Sequence, residues 1–151
     1  MQEECVPNFI PNETNMGGCQ NKIMILTGPN ACGKSVCLKQ VGIICFLAHL
    51  GSWVPASEAT IPIVDGIYTR IQTVDSIALG LSAFTVDLNQ MSRALNNGSG
   101  HSLVLVDEFG KGTTKMDGQA LLGSCIEHWC QQGRAKGGSI LSYGVGSSAK
   151  A

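Results

Sequence analysis

Gly28-Pro29-Asn30-Ala31-Cys32-Gly33-Lys34-Ser35 has the residue types and the spacing to hold a polyphosphate. Glycines at the two ends of that span let the backbone bend close to an anion with no Cβ in the way. Lys34 can then reach the β- and γ-phosphates, and the Ser35 hydroxyl can ligate Mg²⁺. The motif carries this meaning only between a strand and a helix. Here an apolar run, Lys22-Ile-Met-Ile-Leu-Thr27, precedes it, and Val36 to Leu50 has helical spacing. Loop amides and a helix N-terminus would therefore converge on one point. The competing reading is a chance match in a chain with 19 glycines among 151 residues. The flanking elements argue against it.

A second cluster lies about 70 residues further on. Ser102-Leu-Val-Leu-Val-Asp107-Glu108 is a continuous apolar run ending in two carboxylates, preceded by the turn-rich Asn96-Asn-Gly-Ser-Gly100. Such a run predicts a strand buried on both faces. The C-terminal edge of a parallel strand is where α/β sheets bind ligands. Asp107 is placed to hold the Mg²⁺ shell, and Glu108 to take a proton from an attacking water. Taken alone, the two acids could merely end a strand in solvent. Paired with the phosphate loop, they read as half of an ATP site, with ATP and Mg²⁺ as the expected ligands.

These groups need a scaffold, and 151 residues (15.9 kDa) suffice for one domain with a real core. Hydrophobic content is 44% against 14% charged residues, which excludes a disordered chain and leaves a surface short of charge. A net charge of −1 and a pI near 6.3 announce no basic stripe for nucleic acid. The seven cysteines (Cys5, Cys19, Cys32, Cys37, Cys45, Cys125, Cys130) are odd in number and contain no C-x-x-C pair. That fits neither a zinc site nor a disulfide framework and suits a reducing compartment. Cys32 reads as a small filler in the loop, with oxidation sensitivity as the alternative. The acidic, polar start carries no signal peptide. The apolar stretch Val41 to Val54 is too short to cross a bilayer and reads as the buried flank of the helix after the loop. A soluble protein with no membrane partner is expected.

Along the chain, residues 1–21 read as irregular and 22–27 as the first strand. A helix runs from Gly33 to about Leu50 and is closed by Gly51. Ile61 to Ile71 reads as one or two edge strands around Pro62. A loop over 72–82 leads to a helix from about Ala83 to Leu95, where Phe84, Leu88, Met91 and Leu95 form one apolar face. The strand over 103–107 precedes a glycine-rich loop, and a last helix spans about Asp117 to Gln132. From Gly133 the composition turns small and polar, so 133–151 reads as a disordered or foreign tail. The parallel strand that should follow the last helix is not recognisable there.

With both motifs placed, their neighbours become specific. Thr27-Gly-Pro-Asn, Lys34-Ser, Leu38-Lys-Gln, Gly51-Ser, Val54-Pro-Ala, Thr69-Arg, Ser82-x-Phe, Asp107-Glu and Gly110-Lys-Gly-Thr…Asp117-Gly together resemble the ATPase domain of the MutS mismatch-repair family. The likeness runs from about Phe9 to Trp129. Leu79-Gly-Leu-Ser82 and Asp107-Glu-Phe-Gly-Lys-Gly-Thr113 are most similar to the fifth eukaryotic homologue, which acts in meiotic crossing-over together with the fourth.

The resemblance implies an α/β fold of the P-loop NTPase class. Its mostly parallel sheet would be flanked by helices as in transporter ATPases, with an antiparallel edge, and truncated before the last strand. It implies an incomplete ATPase domain over 1–132. Phe9 would stack on adenine, where the residues alone suggest a loop anchor, and residues 28–35 would cradle the phosphates. Asn30 would help place the hydrolytic water, and Glu108 would be the general base. Ser82 would reach across a dimer to the partner's γ-phosphate. Ala83 stands where the family usually has Thr. The implied setting is a nuclear protein that works with a second MutS-homologue subunit and touches DNA through domains outside this chain. The chain resembles a fragment, or a short isoform with a diverged end. Two other readings stand beside this one. A transporter-type ATP-binding subunit would need a Leu-Ser-Gly-Gly-Gln signature, where Leu81-Ser-Ala-Phe84 stands. A non-catalytic nucleotide- or partner-binding fragment is the other.

Overall fold

The computed structural model describes residues 11–15, 23–29, 32–71, 83–110, 113–131 and 138–144, the last of these as backbone. Seven elements follow one another: β1 (Ile23–Gly28), α1 (Lys34–His49), β2 (Ile67–Arg70), α2 (Ala83–Asn97), β3 (Leu103–Asp107), α3 (Lys115–Gln131) and β4 (Gly138–Gly144). The four strands form one sheet in the order β1-β4-β3-β2, and every pairing is parallel. The chain leaves β1 for the far edge at β2, then winds back through β3 to β4 beside its starting strand. This is an α/β architecture with a parallel sheet and three helices.

Strand β3 is the centre. All five of its side chains are buried, and period-2 alternation sends them to two different cores. Leu103 and Leu105 pack with Leu38 and Cys45 of α1. Val104 and Val106 pack with Met91 and Ala94 of α2 and with Leu122 and Trp129 of α3. One face of the sheet therefore belongs to α1 and the other to α2 and α3. Each large aliphatic side chain withdrawn from water contributes about 1.5–3 kcal/mol, so β3 is the most strongly held segment described.

The structure corrects three expectations. Residues 138–144 of the anticipated tail form a parallel strand, inserted between β1 and β3. The sheet is thus not truncated before a last strand, and β3 is paired on both edges. Gly-Ser-Ile-Leu-Ser-Tyr-Gly holds three apolar residues, Ile140, Leu141 and Tyr143, interrupted by serine and bounded by glycine, and its ladder partners on both edges satisfy its backbone. The pairings described are parallel throughout, so the expected antiparallel edge is not found among them. Finally, Val41 to Val54 is not a buried flank: Cys45 is buried, while Ile43, Phe46, Leu50 and Trp53 are exposed. The buried side of α1 runs through Leu38 and Cys45, seven residues apart.

The apolar face of α2 is also rotated from the expected one. Met91 is buried as expected and Leu95 packs partly buried against the core, but Leu88 is 38% exposed, while Ala94 and Asp87, not expected there, are buried. The carboxylate takes that place because a buried arginine meets it there.

Polar contacts fix the ends of the elements. His49 at the end of α1 accepts the Val64 N–H at Nε2 (2.9 Å), and its Nδ1 lies 2.8 Å from the Cys45 carbonyl. These contacts place the proton on Nδ1. Thr114 caps α3, accepting the Asp117 N–H (3.2 Å) and donating to the Asp117 carboxylate (2.6 Å). Asp65, ahead of β2, accepts hydroxyl hydrogen bonds from Ser102 (2.6 Å) and Ser99, which ties the entry of β2 to the turn before β3.

Those two hydroxyls, Ser102 first, hold the Asp65 carboxyl below its ordinary value of 3.8. A depressed native value means that the contact stabilises the fold above the ordinary value and is lost as pH falls through the native one. Asp65→Asn is therefore expected to lower stability in urea unfolding at pH 7. It should also flatten the loss of stability that the wild type shows on acidification below the ordinary carboxylate range. Parallel pH profiles for the two proteins would show that the contact is not the cause.

Candidate functional site

The C-terminal edge of the sheet brings together two of the predicted segments, the start of the loop after β1 and the acids at the end of β3. β1 ends at Gly28 and β3 at Asp107, and both run in the same direction with β4 between them. In register, Leu26 pairs with Ser142 and Ser142 with Asp107, so Asp107 stands level with the last turns of β1. With strands about 4.8 Å apart, Leu26 and Asp107 lie roughly 10 Å from each other across the sheet, and β1 runs two residues further to Gly28. The loop after β1 and the acids after β3 thus open onto one edge.

Gly33 sets the entry to α1. It is in the left-handed region (φ 92°), and no side chain caps the helix. A residue with a Cβ would be strained there. Among the described residues the N-cap position gives the first amides of α1 no side-chain acceptor, which is the state in which a helix start can meet an anion. Lys34 turns back over the loop: its Nζ donates to the carbonyl oxygens of Gly28 (2.8 Å) and Pro29 (2.6 Å). Cys32 Sγ is 3.6 Å from the same ammonium. Gly28 also lacks a Cβ for a local reason, since one would meet Cys32 Sγ at 2.9 Å. Cys32 itself is exposed. Ser35, partly buried, occupies the first turn of α1.

On the other side of β4, Asp107 is buried and Glu108 partly exposed. Glu108 has φ 47°, the sole positive value outside glycine among the described residues. Holding a side-chain-bearing residue there costs about 1–3 kcal/mol and needs surroundings that over-determine it. They are present. Phe109 is buried in the core with Val104, Val106 and Leu122. Gly110 (φ 84°) lies so close to α3 that a Cβ on it would stand 2.7 Å from the Gly118 Cα. The turn that carries Glu108 is clamped on both sides.

Two residues that spacing alone does not connect join this arrangement. Arg70, the last residue of β2, forms a buried ion pair with Asp87 of α2 at 2.7 Å and donates to the Asp107 carbonyl at 3.1 Å. The sequence signal available was an arginine closing an otherwise apolar strand, noticed above only as part of a family pattern. Of the remaining expected site residues, Phe9, Asn30, Ala31 and Ser82 lie outside the described residues. So do Lys111 and Gly112 of the loop after Glu108.

No group of three or more His, Cys, Asp or Glu that could hold a metal occurs among the described residues. The donors present, one hydroxyl and one carboxylate, suit Mg²⁺, which keeps several waters and takes its remaining ligands from phosphates. The described cysteines are free thiols, and burial pushes those of Cys45 and Cys125 up, away from reactivity. No described helix is long and apolar enough to cross a membrane.

Comparison with known proteins agrees with this layout. The family model for MutS domain V matches residues 24–141, from β1 into β4. "MutS protein homolog 5" of Caenorhabditis elegans is 50% identical over 126 residues, which is 83% of this chain and 9% of that protein. "DNA mismatch repair protein MutS" of Alkaliphilus metalliredigens is 44% identical over 129 residues, covering 85% of this chain and 15% of the relative. The protein of the same description from Thermosynechococcus vestitus is 48% identical over 120 residues, 80% of this chain and 14% of its own length. The chain thus spans between about a tenth and a seventh of these relatives. A domain match from β1 into β4, with identities of this order, shows that the chain belongs to the MutS family and corresponds to its domain V.

Proposed function

We propose that this chain is the ATP-binding and ATP-hydrolysing switch of a MutS-family DNA-clamp protein, built as a P-loop NTPase module. The observation that carries the reading is the pairing on one sheet edge of an uncapped helix N-terminus bearing Lys34 with the clamped Asp107–Glu108 turn. Phosphate would take the place of the loop carbonyls as partner of the Lys34 ammonium, a charge-assisted contact stronger than the neutral ones it replaces. Amides at the start of α1 would add their dipoles. Ser35 and Asp107 would hold Mg²⁺, which would supply neutralisation of the charge developing on the phosphates. Glu108 would accept the proton of the attacking water, Asn30 would help to place that water, and Phe9 would stack on the base.

The wider setting is part of the same proposal. A nuclear role in meiotic recombination on mismatched or branched DNA is proposed for the longer protein on the fifth-homologue resemblance of its motifs, with which the likeness to "MutS protein homolog 5" of Caenorhabditis elegans agrees. The partner would be a second MutS-homologue subunit, the fourth being the one the signature favours. DNA would be engaged by portions of the longer protein that this chain does not span, consistent with a net charge of −1.

Lys34→Ala is expected to abolish ATP binding in calorimetry while the far-UV circular dichroism stays unchanged. Equal affinities would refute the loop assignment. For the two acids the outcomes should separate: Glu108→Gln keeps ATP bound and uncleaved, whereas Asp107→Asn weakens the Mg²⁺-dependent binding itself. Identical profiles would mean that the roles are not divided in this way. The third expectation concerns Ser82. Turnover by this chain alone should be very slow and should rise on mixing the full-length protein with the second subunit. Ser82→Ala should cancel that rise, because loss of a preorganised donor to the transition state costs about a hundredfold or more. Brisk hydrolysis by the isolated chain, independent of concentration, would show that the site is complete without a neighbour.

A further inference from the structure

We propose that Arg70 is a positioning residue for Glu108, acting through the peptide bond between Asp107 and Glu108; the inference rests on the ATP-cleavage reading above. The guanidinium sits where β2, α2 and the end of β3 meet. Nη2 pairs with Asp87 at 2.7 Å, and Nη1 donates to the Asp107 carbonyl at 3.1 Å. Both charged side chains are only 7% exposed. The third donor, Nε, is buried with no hydrogen-bond partner.

As a means of attaching α2 to the sheet this is a poor device. A buried ion pair recovers little more than its own desolvation, and apolar residues of similar volume often stabilise as well or better. The unmet Nε adds the cost of a buried donor without an acceptor. What an apolar pair could not do is hold a carbonyl. The carbonyl held here belongs to the peptide unit whose nitrogen is that of Glu108. The unusual torsion of Glu108, φ 47°, turns about the bond leaving that nitrogen. Arg70 fixes the peptide plane on the near side, and buried Phe109 fixes the chain on the far side. Relaxation of Glu108 to negative φ would have to move one or the other. Asp87 in turn holds the guanidinium so that Nη1 meets the carbonyl. An aimed carboxylate matters for cleavage far more than for binding, since displacement of a catalytic group by about 1 Å can cost a hundredfold in rate.

The test uses the full-length chain with its second subunit and two variants. Arg70→Met/Asp87→Leu removes both charges and approximately keeps the volume, so it tests position apart from stability. Arg70→Lys keeps the charge but not the planar fork. Thermal unfolding, Mg²⁺–ATP affinity, single-turnover cleavage and the amide resonances of Glu108 and Phe109 are measured for each. The double variant is expected to unfold near the wild-type temperature and to bind ATP within about threefold. Its cleavage should be about a hundredfold slower, with the Glu108 amide displaced and the resonances of 103–105 unmoved. Arg70→Lys should bind normally and cleave about tenfold more slowly; it decides the matter if the double variant does not fold. Wild-type cleavage rates in either folded variant, or an unmoved Glu108 amide, overturn the proposal while leaving the ATP reading intact. A wild-type protein that cleaves no ATP overturns both.

Discussion

Burial of β3 on both faces and both edges is the constraint on which the rest of this structure depends. Leu103 and Leu105 fix α1 on one side, while Val104 and Val106 fix α2 and α3 on the other. The ladders to β4 and β2 fix the remaining strands. A strand held in four directions has a defined end, and here that end is Asp107 followed by Glu108. The stability of the core thereby becomes positional accuracy at the sheet edge. A strained residue such as Glu108 persists only where neighbouring atoms leave it no cheaper conformation, and Phe109, Gly110 and Arg70 provide that confinement.

Much of this was legible in the sequence because the responsible signals are local. The strand over 103–107 reads from five consecutive apolar or end-acid positions, and three helices read from their periodicity. Glycine, lysine and serine at fixed offsets mark the loop. β4 was not legible, because its three apolar residues, Ile140, Leu141 and Tyr143, are interrupted by serine in a glycine- and serine-rich segment. The orientation of α2 was also misread. Periodicity ranks Leu88 as a core residue and Asp87 as solvent, and only the distant Arg70 reverses the order. The exposed side of α1 makes the converse point: Val36, Ile43, Phe46 and Leu50 are apolar yet stand in water in this chain, so composition alone overstated burial.

The site divides in the same way. Lys34, Ser35, Asp107 and Glu108 stand out by type and spacing, and topology places the ends of β1 and β3 on one edge. The Arg70–Asp87 link was not, because its members are 17 residues apart, on different elements, and meet only when β2 and α2 pack. Side-chain pairs of this kind escape any reading that treats elements one at a time.

The two ends of the edge also differ in what a nucleotide would have to change. At the loop, Lys34 already has two carbonyl partners, so phosphate must displace interactions that exist. The loop carbonyls would then need new partners, and part of the gain in charge pairing would be offset by that exchange. At Glu108 the backbone is already in the unusual conformation, and its strain is carried by the folded state. In the proposed mechanism, binding is therefore the step that rearranges the loop, while the base is placed in advance. Such a division would suit the proposed switch: nucleotide occupancy would be read at the Lys34 end of the edge, and the chemistry that ends the occupied state would be kept on the clamped turn at Glu108.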